Sequence, residues 1–468
     1  MAHMNWIEEV EKRKDDLLKD TQAFLQIKSV LDEESRSEFA PFGEGINEAF
    51  THLLSKGEEE GFTIKNLDGY AGYLEIGDGE EIVGVLCHVD VVPEGDGWSS
   101  DPYAAEIREG SIYARGAMDD KGPTMAAFYA MKIVKELGLP LSKRVRMIIG
   151  TDEESEWRCV EHYFKHEEMP ALGFAPDADF PIIFAEKGII DAKLTQQLNE
   201  TEEKETAVLI SFQSGRRFNM VPDFATATIK AGTELEGITQ TFNEYLAKLA
   251  LTGEVISEGE HTSFSLKGVS AHAMEPNNGK NAGILLATFL KSVTTFDSNG
   301  GKFIRTINEF FTEDTRGEKL GISYKDEISG ELTVNLGVMS YSSEEGGELG
   351  VNLRYPVTGE ANKVKASLES IPGFSLTSFN DSKPHHVDAN TPLIKTLQKV
   401  YEEQTGEKAE LLSIGGGTYA RSLEAGVAFG PLFPGRPDVA HQKDEYIAID
   451  DLVKATAIYA QAIYELAK

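Results

Sequence analysis

The sequence predicts an α/β fold: a three-layer domain written in two pieces, with an α+β domain inserted between them. Three observations carry this expectation. Strand-like and helix-like segments alternate over residues 1–187; alternating polar and apolar strands dominate 188–383; strand and helix alternate again over 384–468.

Taken in order, an amphipathic helix is expected from about Trp6 to Gln26 and a second from Ile46 to Glu60. The apolar run Ile82–Cys87 reads as a buried strand and leads into a loop rich in Gly, Pro and Asp. A helix from Pro123 to Leu137, the strand Arg144–Gly150 and a helix from Trp157 to Glu168 follow. In sheets of this kind, sites form in the loops beyond the carboxyl ends of the strands. Within the insertion, "TATIKA" and "TSFSLKGVSAHA" read as strands, with helices at Gln240–Leu249 and Ala282–Val293. The last piece holds a helix from Pro392 to Glu403, the segment "ELLSIGGGTYAR" and an amphipathic helix from Ile449 to Leu466. No internal repeat argues for a solenoid.

With 468 residues and 41% hydrophobic content, the chain can bury a large core. It has no unbroken apolar run of about 18 residues and no apolar signal region, so a cytoplasmic location away from membranes is expected. Cys87 and Cys159 form neither a disulfide framework nor a CxxC pair, which suits a reducing compartment. Any metal site must then be built from His, Asp and Glu. The 78 acidic against 45 basic residues give a formal charge of −33, which would repel phosphate backbones. Nucleic acid is not an expected partner.

The stretch "LCHVDVVPEGDGW" ends an apolar strand with His88 and Asp90. Residues i and i+2 of a strand face the same way, so both can serve one site. A carboxylate behind a histidine fixes the ring tautomer of a metal ligand. Further segments place acids or histidine at element ends: "ARGAMDDKGP" with Asp119 and Asp120, "GTDEESEW" with Glu153 and Glu154, "APDADFP" with Asp177 and Asp179, and "VAHQKDEY" with His441. Singly each has a plainer explanation, because Asp before a helix is a common N-cap and paired Glu usually sit in solvated turns. Together, two histidines and several carboxylates without a thiolate suit a pair of divalent ions, Zn²⁺ foremost and Mn²⁺ as an alternative. A carboxylate can bridge two such ions, water between them becomes a nucleophile near neutral pH, and an adjacent glutamate can act as general base.

The segments "CHVDVVP", "RGAMDDKGP", "TDEESEW", "PDADFP" and "VAHQKDE" resemble, in order and spacing, the five motifs of the di-zinc aminoacylase, carboxypeptidase and carnosinase metallopeptidase family. The long insertion, "SAHAMEPNNGKNA" and "VNLRYP" resemble its PepV-like dipeptidase group. The resemblance implies that His88 and Asp177 hold one metal, Glu154 and His441 the other, and Asp119 bridges them. It further implies Glu153 as general base and acid, and Asp90 as the residue that orients His88. The insertion becomes a lid, on which His272 would stabilise the oxyanion from within the same chain. Asn219 and Arg354 would hold substrate, Arg354 being shaped to fork onto a terminal carboxylate. Backbone N–H groups of the "GGGTYAR" loop, including that of Gly416, would serve the same end. The expected protein is a monomeric dipeptidase, a metal-dependent protease acting on dipeptides with a free C-terminal carboxylate. Two rivals share these features: an N-acyl amino acid deacylase on the same scaffold, and a degenerate relative that binds metal or peptide without turnover.

Overall fold

The strand Ile82–His88 is buried at every position, as a central strand with protein on both faces must be. Val83, Val85 and Cys87 join the principal apolar core, while Gly84 is overlaid by Pro170 and Leu423. This computed structural model describes residues 4–198, 207–231, 237–296 and 298–468. The chain divides into two units. The first comprises Met1–Phe184, His386–Leu412 and Thr418–Lys468; the second comprises Ala185–His385 and Ser413–Gly417.

In the first unit, a mixed sheet runs in the order Thr63–Leu67, Ala71–Ile76, Arg144–Gly150, Ile82–His88, Leu172–Ala175, Gly426–Ala428. The last four of these strands are parallel. Their carboxyl ends therefore lie along one edge, with His88 paired to Gly150. The helices Lys121–Glu136 and Ile449–Ala467 pack against each other and on this sheet. The former begins at Lys121, so Pro123 falls in the first turn, where its missing N–H leaves no hydrogen bond unmade. The single N-terminal helix expected from Trp6 to Gln26 is instead two, Trp6–Glu11 and Lys14–Leu25. The Arg13 guanidinium donates to the Glu9 carbonyl at 2.7 Å, taking the acceptor that the Arg13 amide would use in a continuous helix.

The second unit is built on an eight-stranded antiparallel sheet in the order Thr252–Glu258, His261–Lys267, Phe224–Ala231, Ala207–Ser214, Thr333–Ser342, Gly346–Tyr355, Gly188–Gln196, Phe374–Ser382. Strand Gly188–Gln196 alternates buried and half-buried residues, the period of a sheet with one face on a core. Helices Ile238–Leu249, Ala282–Val293 and Ala361–Glu369 supply the covering layer of that core. The expected strand through "SAHA" stops at Lys267. Beyond it the chain runs beside 219–221, where the amide of Ala273 donates to the Asn219 carbonyl at 2.9 Å.

Candidate metal centre

The parallel strands deliver the candidate ligands because they end together. His88 closes its strand, Glu153 and Glu154 follow Gly150 by a short turn, and Asp177 follows Ala175. Asp119 comes from the loop before the helix Lys121–Glu136, and His441 from a loop near the C-terminus, where its φ is +62°. A non-glycine residue in that left-handed region is held there by its surroundings, a common feature of functional positions.

Among the described residues, His88, Asp119 and Asp177 bring ligand atoms within 4.8 Å of one another, and so do Asp119, Glu154 and His441. Asp119 belongs to both sets. Its Oδ1 lies 3.1 Å from His88 Nε2 and its Oδ2 lies 2.9 Å from His441 Nε2. His441 Nε2 also lies 3.0 Å from Glu154 Oε1, and His88 Nε2 lies 3.7 Å from Asp177 Oδ2. Glu153 reaches the same range of His88 and Glu154. The donors are imidazole nitrogen and carboxylate oxygen only, and one carboxylate faces both sets, which is a donor chemistry that fits two divalent cations.

Asp90 does more than the sequence suggests. The His88 Nδ1 atom is 2.9 Å from the Asp90 backbone carbonyl and 3.5 Å from its carboxylate. The carboxylate accepts the amides of Glu153 at 3.1 Å and Glu154 at 2.9 Å. One acid thus fixes both the imidazole and the turn that presents the two glutamates. Asp120 turns away from the ligand atoms: its Oδ2 accepts the His88 amide at 3.1 Å and the Thr124 hydroxyl at 3.0 Å. Asp179 lines a cavity of about 180 Å³ together with Asp119 and Asp177 but joins neither ligand set.

Burial and the close charges shift the candidate ligands and Glu153. Burial and the Asp119 charge push Glu154 up to about 7 and Asp177 up to about 6. Burial, with the charges of Asp177, Glu154 and Asp119, holds Glu153 well above the usual carboxylate range. Burial would also raise Asp119, but hydrogen bonds from His441 and His88 hold it low. Hydrogen bonds to Asp119 and Glu154 raise His441 to about 11. Burial disfavours a charged His88, yet Asp177, Asp119 and Asp90 outweigh it and hold the ring well above its ordinary value.

The remaining sequence-derived residues lie in the second unit. His272 sits on the segment bridged to Met220, next to Asn219. Its Nδ1 accepts the Met274 amide at 3.2 Å, which leaves the proton on Nε2. Partial desolvation and the Arg354 charge lower its pKa. Arg354 is buried, its Nε donating to Asn352 Oδ1 at 2.8 Å and its Nη1 to the Gly415 carbonyl at 3.1 Å. The glycine loop is therefore tied to the arginine. At Gly416, an added Cβ would meet nothing closer than 3.9 Å, so the chain's own packing does not demand glycine there.

A profile of peptidase family M20/M25/M40 matches residues 84–465. The chain belongs to that family. The Bacillus subtilis protein named "Putative dipeptidase YtjP" is 63% identical over 465 residues, covering 99% of this chain and 100% of that one. A Staphylococcus epidermidis protein named "Putative dipeptidase" is 42% identical over 466 residues, covering 98% and 99%. The crystal structure of aminoacylhistidine dipeptidase from Vibrio alginolyticus shares the fold, with a TM-score of 0.58 at 13% identity over 97% of this chain and 96% of that one. As an M20 peptidase the chain is a hydrolase. No helix among the described residues is long and apolar enough to cross a membrane.

Two buried residues escape notice in the sequence. Glu445 accepts the amides of Met118 and Asp119 at 2.8 and 3.1 Å, and Arg115 pairs with it at 2.6 Å. Both stand inside motifs that carry ligands, Arg115 four residues before Asp119 and Glu445 four residues after His441. Their spacing is the only sequence signal they offer.

Proposed function

We propose that the protein is a di-metal dipeptidase that hydrolyses dipeptides carrying a free C-terminal carboxylate. The observation that carries this reading is Asp119, whose two oxygens each face a separate set of ligand donors. His88 and Asp177 would hold one ion, Glu154 and His441 the other, with Asp119 shared. Bound there, two divalent cations would supply Lewis acidity and lower the pKa of a water between them; Zn²⁺ suits the donors best and Mn²⁺ is the alternative.

The chain's own residues do the rest. Glu153, beside the ligand sets, takes the proton from the attacking water and returns it to the departing amine; its upward-shifted pKa lets it hold that proton near neutral pH. Asp90 keeps Glu153 and His88 in place by accepting the turn amides and facing the imidazole. On the second unit, the Nε2–H of His272 donates to the developing oxyanion. Arg354, a fixed buried cation, grips the substrate carboxylate, with Asn219 and the Gly416 backbone as further polar contacts. The identity of the relatives named as dipeptidases supports dipeptides as the substrate class.

The test is a hydrolysis assay of unsubstituted dipeptides and N-acetyl amino acids, with Zn²⁺ or Mn²⁺ supplied. Dipeptides should be cleaved at least tenfold faster by kcat/KM. Preference for the acyl amino acids would identify a deacylase, and turnover of neither would identify a binding protein without catalysis.

A further inference from the structure

We propose that Glu445 is a positioning residue for Asp119, and that the buried Arg115–Glu445 pair braces three ligand-bearing loops of the first unit. This rests on the metal reading of the site above. Glu445 touches none of the ligand atoms. Its Oε1 accepts the amides of Met118 at 2.8 Å and Asp119 at 3.1 Å, and its Oε2 accepts the amide of Gly116 at 3.2 Å. The same Oε2 accepts Arg115 Nη1 at 2.6 Å. Arg115 then reaches the two other loops: Nη1 donates to the Gln442 carbonyl at 3.2 Å, next to His441, and Nη2 to the Glu94 carbonyl at 3.2 Å, beyond His88 and Asp90. Glu445 is fully enclosed and Arg115 is 1% exposed.

The physical reason for such a pair lies in what Asp119 must do. Its backbone lies in a loop, where no ladder of strand hydrogen bonds fixes it, yet its two oxygens must face His88 and His441 at once. A carboxylate that accepts consecutive loop amides fixes that backbone before any ion arrives, because charge-assisted hydrogen bonds in a dry interior are strong and directional. Buried ion pairs are costly to assemble, so a pair placed here is better explained by the geometry it imposes than by stability alone. Residues that hold a ligand in place without touching the ion typically change metal affinity by about 10- to 100-fold when altered. Since Asp119 belongs to both ligand sets, loosening it should weaken both ions together.

The experiment uses the full chain and Glu445→Gln, whose amide keeps one acceptor oxygen and loses the other. Zn²⁺ affinity is measured by competition with a chromophoric chelator, and Co²⁺ occupancy by the visible absorption of the cobalt protein. Glu445→Gln should bind both equivalents about 10- to 100-fold more weakly, with altered cobalt bands. As a control, Glu75→Gln disrupts another part-buried pair of the same unit, with Arg146 at 2.6 Å, both residues lying within paired strands and neither in a ligand-bearing loop. It should lower Tm while leaving affinity and cobalt bands unchanged, which separates positioning from general destabilisation. Should Glu445→Gln fail to fold, hydrogen exchange on metal-free wild-type protein decides: the amides of Gly116, Met118 and Asp119 should be protected, and free exchange there overturns the inference. Wild-type affinity and bands in a folded Glu445→Gln overturn it while leaving the metal reading intact. A wild-type chain that takes up no divalent ion overturns both.

Discussion

Metal uptake by the stripped protein should release protons, and their number can be worked out from the site. In the metal-free chain His441 has a pKa of about 11, Glu154 about 7 and Asp177 about 6. Each must be deprotonated to ligate an ion. At pH 7 His441 then gives up about one proton, and Glu154, Asp177, His88 and Glu153, all shifted upward, add to the total. Release should therefore be at least about one proton at pH 7 and larger at pH 6. Calorimetric titration with Zn²⁺ in two buffers of equal pH but different ionisation enthalpy reads this number directly. The same shifts fix the sign of the pH dependence of stability. All three values lie above the ordinary ones, so these groups hold more protons in the folded metal-free chain than in the unfolded one, and the stability they contribute is lost as pH rises. The windows run from 3.8 to about 6 for Asp177, 4.5 to about 7 for Glu154 and 6.5 to about 11 for His441. Asp119, shifted the other way, titrates below these windows. Tm of the stripped protein should fall between pH 6 and 8, and bound metal, whose uptake releases these same protons, should oppose that fall. Uptake of two ions with no proton release at pH 7 would refute the assignment of Glu154 and His441 as ligands.

Glu153→Gln should lower kcat by roughly 10²-fold or more while metal content stays at the wild-type level, checked by steady-state kinetics and elemental analysis. Loss of the ions in this variant would place Glu153 among the ligands instead. Arg354→Ala should cost about 2 to 5 kcal/mol in kcat/KM for dipeptides, since it removes a buried, hydrogen-bonded cation from a charge-assisted contact. C-terminally amidated dipeptides should be equally poor for the wild type, and combining variant with amide should cost little more than either alone; additive losses would show that Arg354 reads some other group.

The α/β class was legible because buried parallel strands are continuous apolar runs, and Ile82–His88 and Arg144–Gly150 are both of that kind. The family was legible because the five motifs keep their order across the chain. Local pattern also placed His88 and the glutamate turn at the strand ends, where the structure has them. It could not choose between Asp119 and Asp120. Both are acids in one loop ahead of one helix, and only the three-dimensional path shows that Asp119 faces the histidines while Asp120 turns to the His88 amide and Thr124. Nor could it separate the helix pair at the N-terminus, since the break depends on a single arginine side chain reaching back to the Glu9 carbonyl.

The least legible residues were Arg115 and Glu445, and the reason is general. A charged residue in a polar segment reads as solvated, because burial of charge leaves no mark on composition or period. What buries Glu445 is the return of the C-terminal loop to residues 116–119, more than three hundred positions away in sequence. The distribution of the candidate ligands explains why such a return is needed. His88 closes a paired strand, and Glu154 and Asp177 follow such strands within a few residues. Asp119 and His441 arrive on loops and have no ladder. A site that draws some ligands from a sheet and others from loops must stiffen the loops by other means, and buried side chains that accept or donate to loop backbone are the means available. Asp90 does this for the glutamate turn and Glu445 for the Asp119 loop. Glu445, an acid with no reading of its own in a chain of net charge −33, thus joins Asp90 among the residues that fix loop backbone at the site.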